Sequence, residues 1–487
     1  MEFLAQPATV AVAVHVGVVV AVGLRVVMAR PVPGVALAWL LLVVMLPGAG
    51  LLCYLGIGER RLGARRARRL AELRLPYMQR LREILHRRSA QVVWSGLPDA
   101  CEAMNRLGMT MAGIPTMTGN EVALLGDLGE AMQSMLQDVE RARSTLHMQF
   151  YIWHAGGLAD AMLEAVVRAA GRGVECCILV DALGSRGWLR GPQPQRLRAA
   201  GVKVVAAMPT GPVRALFRRN DLRNHRKIVV IDGDIAYTGS MNMVDPRCFK
   251  QEAAVGQWVD AMVRMRGPAV EALNGVLLAD WFLETKVSIE ELIGSGDLRE
   301  RPGRGRANVQ VLPSGPASTG DAILQMLLLM LYAARRRVVV TTPYFVPDEA
   351  MLRALRSAAA RGVAVTLIVP DKVDSLLVRY ASRSYYEDLM AVGVQIQCYR
   401  GGLLHTKSVV VDEQIAMFGT VNLDMRSLWL NYEVSLFVYE TAFGAALHAL
   451  QERYLAECSL LDPAAWRRRA LPGQLIDNLA RLFSPLL

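Results

Sequence analysis

Two charge-free runs of apolar residues open the chain, Ala8 to Leu24 and Pro31 to Gly58, both rich in Val, Leu and Ala. Each is close to or above the roughly 20 residues that a helix needs to cross a bilayer. Arg25 and Arg30 lie between the runs and mark a short loop, so the pattern predicts two spanning helices. His15, inside the first run, is read as an interhelical hydrogen-bonding residue. Further along, the apolar positions come in short blocks with turn signals between them. Met148 to Ile152 reads as a strand and the Ala-rich stretch Leu158 to Ala170 as a helix. Arg172-Gly173-Val174 ends that helix, and Cys176 to Val180 reads as a buried strand. The plan then recurs: Val338 to Val340 before Thr341-Thr342-Pro343-Tyr344-Phe345, a helix from Glu349 to Ala360, Arg361-Gly362-Val363, and a strand over Thr366 to Val369. Each half offers one more strand start, at Gly201-Val202 and Gly393-Val394. Strand, helix, strand, helix, given twice, predicts an α/β unit used twice.

Turn formers and charge from Gly294 to Arg306 separate the two copies. The expected organisation is a transmembrane hairpin over 1–58, a basic juxtamembrane linker over 59–118, a first half over 119–295 and a second half over 307–487. An apolar fraction of 53% is high for a chain that never meets lipid. The net charge of +11 is concentrated: Glu59 to Arg88 holds eleven arginines and three acids. That clustering argues against a surface dedicated to nucleic acid and for arginines set against anionic headgroups. The cluster follows the second apolar run, so the positive-inside rule puts the chain beyond residue 59 in the cytoplasm; Arg25 and Arg30 mildly oppose this. Glu2 and the lack of an early Lys or Arg argue against a cleaved signal peptide. Seven scattered cysteines without CxxC spacing read as reduced thiols, and no Cys/His cluster suggests a metal site.

Each half ends in one constellation. His225-Arg226-Lys227 is followed by four apolar residues, Asp232, six residues, and Gly239-Ser240-Met241-Asn242; His405-Thr406-Lys407 is followed at the same spacing by Asp412 and Gly419-Thr420-Val421-Asn422. Residues two apart on a strand share a face, so His225 with Lys227, and His405 with Lys407, can address one ligand. Asp232-Gly233 signals a tight turn that returns Ser240 and Asn242 to the same place. Lysine, hydroxyl and amide around a histidine suit a phosphate oxygen. Asp232 and Asp412 fall off the His/Lys face, and a structural role in turn and interface hydrogen bonds is preferred for them over direct chemistry.

These HxKxxxxD elements resemble those of the phospholipase D superfamily, over about Asn120 to Leu487, and the segments Arg223 to Asp245, Gly401 to Glu433 and Thr341 to Pro347 resemble cardiolipin synthases within it. The resemblance implies a fold of two similar α/β sandwich halves whose motifs meet in one active site. It implies catalytic His225, Lys227, Asp232, His405, Lys407 and Asp412, with Ser240, Asn242, Thr420 and Asn422 around the phosphate. Glu433, eleven residues past Asn422, matches the family's histidine-orienting glutamate; in the first half the same offset falls on Ala253, and Glu252 is the nearest carboxylate. The implied reaction transfers a phosphatidyl group between two phosphatidylglycerol molecules through a phosphatidyl-histidine, with no cofactor and no metal. It implies a bacterial inner-membrane protein working on anionic lipid, with homo-oligomerisation left open. A phospholipase D hydrolase, a nuclease of the same superfamily and a non-enzymatic scaffold are the competing readings.

Arg214, Arg218, Arg219 and Arg223 could meet lipid phosphates or solvent, and Trp429 and Tyr432 read as core or interfacial aromatics. Trp466, Arg467, Arg468 and Arg469 precede Leu475 to Leu487, whose leucines and Phe483 recur at helical intervals. That segment could lie on a membrane surface or pack on the catalytic unit.

Overall fold

The computed structural model describes residues 7–29, 33–46, 48–59, 61–74, 79, 83, 91–211, 219–294, 300–316 and 321–487. Two compact units emerge, one from residues 1–67 with 210–222 and one from 68–209 with 223–487.

In the smaller unit, Pro7–Ala29 forms one helix, of which Thr9–Ala29 is long and apolar enough to cross a membrane. The second apolar run does not form one helix. It gives Pro33–Met45, then Ala49–Cys53 continuing as the π-turn Tyr54–Gly58. Gly48 sits between them at φ 74°, which a helix interior does not accept, and Pro47 before it offers no N–H. Gly50 allows the chain to fold back, since a Cβ there would lie 2.5 Å from the Leu42 carbonyl oxygen. Arg25 lies within the first helix and not in a loop, with its guanidinium on Glu59 at 2.5 and 2.8 Å. His15 does bond between helices, its Nε2 lying 3.2 Å from the Val44 carbonyl oxygen. Arg30, Arg214 and Arg218 lie outside the described residues; Arg219 forks onto Asp221 at 2.5 and 2.8 Å.

The larger unit is built on one sheet of fifteen strands. The first half supplies β1 Met117–Leu125, β2 Thr145–Phe150, β3 Glu175–Asp181, β4 Lys203–Ala207, β5 Ile228–Ile231, β6 Ile235–Gly239 and, beyond the short β7 Trp258–Val259, β8 Met262–Arg266. The second supplies β9 Ala307–Ser314, β10 Arg337–Thr341, β12 Ala364–Pro370, β13 Gln395–Tyr399, β15 Ser408–Val411, β16 Ile415–Gly419, β18 Glu433–Val438 and β19 Cys458–Leu460. Four short strands, β7, β11 Phe345–Val346, β14 Leu403–Leu404 and β17 Leu423–Asp424, lie outside it. The order β19-β13-β12-β10-β15-β16-β18-β9 continues into β1-β8-β6-β5-β2-β3-β4, so the halves are related by reversal about the β9–β1 pair. Residues 295–306 separate the halves in sequence, yet the sheet runs through without a break.

Apolar alternation explains the layering. Helices Leu158–Gly171 and Glu349–Ala360 bury Met162, Leu163 and Val166, and Met351, Leu352 and Leu355. Ala269–Glu284 is buried along almost its whole length, because it packs with Thr441–Ala456 over central strands of both halves. Ile228, Val263, Val309, Val410, Phe418 and Val434 belong to that shared core. At about 25 cal/mol per Å² of apolar surface removed from water, such a seam fixes the two halves against each other.

Arg69 illustrates how part of the arginine cluster is structural. Its guanidinium donates to the carbonyls of Phe282 at 2.8 Å and Val287 at 2.7 Å and lies 3.8 Å over the Phe282 ring.

Candidate active site

The two motif hairpins set the geometry. β5 and β6 are joined by a turn with Asp232 at φ 52° and Gly233 at φ 58°; β15 and β16 are joined by Asp412 at φ 52° and Glu413 at φ 61°. Two left-handed residues give the tight turn whose twist matches its strands. Asp232 accepts the N–H groups of Arg143, Ser144 and Thr145 and the Ser144 hydroxyl, at 2.7 to 3.1 Å. Burial pushes its carboxyl up, but these donors outweigh it and hold it low. Asp412 accepts from the N–H groups of Arg335, Arg336 and Arg337 at 2.8 to 2.9 Å. Five residue steps along the strand, roughly 16 Å, separate each aspartate from its lysine. Asp232 and Asp412, which the family resemblance places among catalytic residues, therefore brace the turns far from the histidines.

At the other end of the hairpins the halves cross-connect. The His225 N–H donates to the Tyr432 carbonyl at 2.9 Å, and the Tyr432 N–H to the Arg223 carbonyl at 2.8 Å. On the pseudo-equivalent side, the His405 N–H donates to the Val259 carbonyl at 2.8 Å, within the parallel β7–β14 pair. That pairing needs two glycines, since a Cβ on Gly256 would lie 2.9 Å from Gly402 Cα. In each bridge the next residue is a buried carboxylate that belongs to the other half's histidine. His225 Nδ1 lies 2.9 Å from Glu433 Oε2, and His405 Nδ1 lies 2.7 Å from Asp260 Oδ1.

Asp260, and not Glu252, is thus the first half's orienting carboxylate. Glu252 is exposed in the short 3-10 turn Gln251–Ala253. Asp260 comes eighteen residues after Asn242, whereas Glu433 comes eleven after Asn422. Counted along the sheet the two agree: Gly239 pairs with Met262 and Gly419 with Ser435, each two residues past its carboxylate. A signal was present in the sequence, because Asp260 and Glu433 each stand directly before a short apolar run, Ala261 to Val263 and Val434.

Both histidines and both lysines are buried. Burial pushes each imidazole down to about 4, with the lysines adding to the shift and Glu433 or Asp260 opposing it. Burial also lowers Lys227 to about 8 and Lys407 well below its usual range. Burial alone would raise Glu433 and Asp260, but the facing imidazoles hold both carboxyls low. Each imidazole is therefore neutral, with Nδ1–H donating to a carboxylate and Nε2 carrying a lone pair. The lysine Nζ atoms donate to the carbonyls of their own histidines, Lys227 to His225 at 2.7 Å and Lys407 to His405. Lys407 acts on His225 and Lys227 on His405, so the four groups share one electrostatic site.

The hydroxyls hold the carboxylate strands. Thr420 Oγ1 donates to Glu433 Oε2 at 2.5 Å, and Ser240 Oγ accepts the Ala261 N–H at 3.1 Å, one residue past Asp260. Asn242 Oδ1 accepts the Ile152 N–H at 3.0 Å, and its buried NH2 has no partner among the described residues. Asn422 Nδ2 donates to Asp424 at 3.0 Å. Two aromatic walls were not singled out from the sequence: Tyr151 lies 4.9 Å from the His225 ring and Trp258 4.4 Å from that of His405. Arg223 pairs with Asp181 at 3.2 Å, and Tyr432 is buried. Among the described residues no cluster of three His, Cys, Asp or Glu side chains could hold a metal ion.

A family model described as cardiolipin synthase, PLD-like domain, matches residues 135–257 and 327–455. Among curated proteins, cardiolipin synthase A of Edwardsiella ictaluri is 43% identical over 473 residues, and that of Salmonella arizonae 44% over 474, each alignment covering 96% of both chains. Among solved structures, a phosphatidylserine synthase of Haemophilus influenzae superposes with a TM-score of 0.61 at 13% identity, over 79% of this chain and 99% of that one. That likeness bears on the fold, a phospholipase-D-like α/β arrangement in two halves.

Proposed function

The chain belongs to the cardiolipin synthase family of phospholipase-D-type phosphatidyltransferases, and from that premise we propose that it forms cardiolipin and glycerol from two molecules of phosphatidylglycerol. The observation that carries this reading is the pair of buried neutral histidines, each held by a carboxylate from the other half. His405 takes up a proton from solvent at Nε2 as the anionic lipid binds; His225 Nε2 then attacks phosphorus, and His405 delivers that proton to the departing glycerol oxygen. His405 then takes the proton of the second lipid's glycerol hydroxyl as that oxygen displaces His225. Lys227, Lys407 and the unpartnered NH2 of Asn242 meet the phosphoryl oxygens.

Asp260 supports the acid role of His405: its bond to the imidazole is the shorter, 2.7 Å against 2.9 Å for Glu433 and His225. Lys407 opposes protonation of His405 in the empty site. A bound phosphodiester anion compensates that lysine, while the Asp260 bond persists.

Thr9–Ala29 supports a membrane-bound protein. Two crossings and a cytoplasmic catalytic unit remain part of the proposal, supported by the second apolar run and the arginines that follow it. The test is product analysis by mass spectrometry after reconstitution into phosphatidylglycerol bilayers. Cardiolipin and free glycerol should dominate, and with a phosphatidyl donor whose leaving group needs no protonation, such as p-nitrophenol, His405→Ala should leave acid-labile phosphatidyl label on His225. Phosphatidic acid as the main product would replace the synthase with a hydrolase, and label on His405 alone in the reciprocal His225→Ala variant would exchange the two roles.

A further inference from the structure

The helix Leu471–Arg481 is mounted with its polar side inward. Leu471, Leu475, Ile476 and Leu479 project to solvent, continued by Leu482 and Phe483 just past its end; Leu471 is 78% and Leu482 74% exposed. At 100° per residue the four helical positions span an arc of about 140°, a full amphipathic face. Asp477, 2% exposed, faces the protein together with Ala480. Ion pairs hold that side down: Asp477 to Arg383 at 3.3 Å and to Arg469 at 2.5 Å, and Arg481 to Asp388 at 3.3 Å. Arg481 also lies 4.3 Å over the Tyr385 ring, and the Tyr385 hydroxyl lies 2.9 Å from Ser484 Oγ. A helix stabilised on a protein usually buries its leucines and exposes its charges. Here the attachment is polar and the apolar face is left over.

Two further observations say what covers it. Arg467 and Arg468, exposed just ahead of the helix, have no ion-pair partner among the described residues, which complements an anionic surface. The neighbouring helix Leu376–Met390 begins with exposed Leu376 and Leu377. Two residues earlier, Asp374 binds Lys250 at 3.0 Å and Tyr344 at 2.7 Å. Lys250 in turn lies 5.7 Å over Trp258, the ring beside His405. Leu376 and Leu377 thus stand two and three residues from a series of contacts that ends beside His405.

We propose that the apolar face of Leu471–Arg481, with Leu376 and Leu377, is a membrane-docking surface that seats the catalytic unit on an anionic bilayer. The leucines enter the headgroup and acyl boundary while Arg467 and Arg468 meet lipid phosphates. The site's rim is thereby held at the depth where headgroups lie. This goes beyond the reaction assigned above, and its first readout needs no turnover.

The test uses the full chain in phosphatidylglycerol vesicles. In a Cys53→Ser, Cys248→Ser background, which removes the exposed thiols, Ile476→Cys carries a fluorescent probe. Quenching by nitroxide on the lipid chains, with protection from aqueous iodide, is the expected result. Leu475→Glu with Leu479→Glu should lower transfer between lipids in bilayers by roughly tenfold or more, with turnover of dispersed short-chain phosphatidylglycerol within about twofold of the parent. The short-chain assay also detects misfolding. A probe open to iodide and untouched by lipid quencher overturns the proposal. So does iodide protection that depends on protein density and not on lipid, which would mean a second copy covers the face.

Discussion

Replacing Asp260 with Asn tests the cross-half arrangement most directly. The substitution keeps shape and removes charge from a carboxylate that is 1% exposed by its side chain and bonded at 2.7 Å to His405 Nδ1. A buried hydrogen bond to a charged group contributes about 1.5 to 3 kcal/mol. If that stabilisation is realised when His405 carries the proton, its loss corresponds to about a 10- to 150-fold fall at 1.36 kcal/mol per decade. The fall should appear in kcat and leave KM little changed, because Asp260 does not reach the lipid. Lys407 then acts on His405 unopposed by a carboxylate, so protonation of His405 moves to still lower pH. The assay is cardiolipin formation in phosphatidylglycerol proteoliposomes, referred to folded protein by its melting transition, since the change also deprives Lys407 of its strongest opposing charge. Glu252→Gln, on the exposed turn, should stay within about twofold of the parent. A D260N variant retaining more than half of kcat, or E252Q falling as far as D260N, would refute the reasoning.

Three further perturbations separate the roles. Asp232→Ala should cost about 1 to 2 kcal/mol of stability through orphaned backbone N–H groups at its half-exposed turn, seen as a lower melting temperature, while kcat per folded molecule stays near the parent; a loss of kcat without destabilisation would make it catalytic after all. Asn242→Asp replaces the free NH2 with an anion facing the phosphate, and kcat/KM should fall by about 100-fold; an unchanged value would remove Asn242 from the site. Stability should rise with pH between about 4 and 6.5, because in that window the unfolded chain protonates two imidazoles that the fold keeps neutral. Melting scans in detergent should show this slope, and His225→Gln with His405→Gln should flatten it; an unaltered slope would assign the acid lability elsewhere.

Much of this protein follows from local pattern. The helix Glu349–Ala360 falls on the residues its periodicity predicts, and the repeated strand and helix blocks recur in both halves of the sheet. The His/Lys pairs could be placed on one face because strand alternation is a property of neighbouring residues, and the family resemblance rests on the segments that hold them together with Thr341 to Pro347. What the sequence could not supply was anything that depends on which segments meet. Counting from Asn242 fell on Ala253, with Glu252 the nearest carboxylate, since an inserted turn of seven residues displaces Asp260 in sequence without moving it in the sheet register. The pairing of His225 with Glu433 and of His405 with Asp260 crosses 208 and 145 residues of chain, and no local signal carries across such separations. The second apolar run was long enough to span a bilayer by composition, but the break at Gly48 divides it. In the same way, periodicity identified an apolar face over Leu475 to Leu487, and only the ion pairs of Asp477 decided that its leucines point outward. Side-chain period is set within a few residues of chain, whereas burial, pKa and partnership are set by whatever the completed fold places opposite.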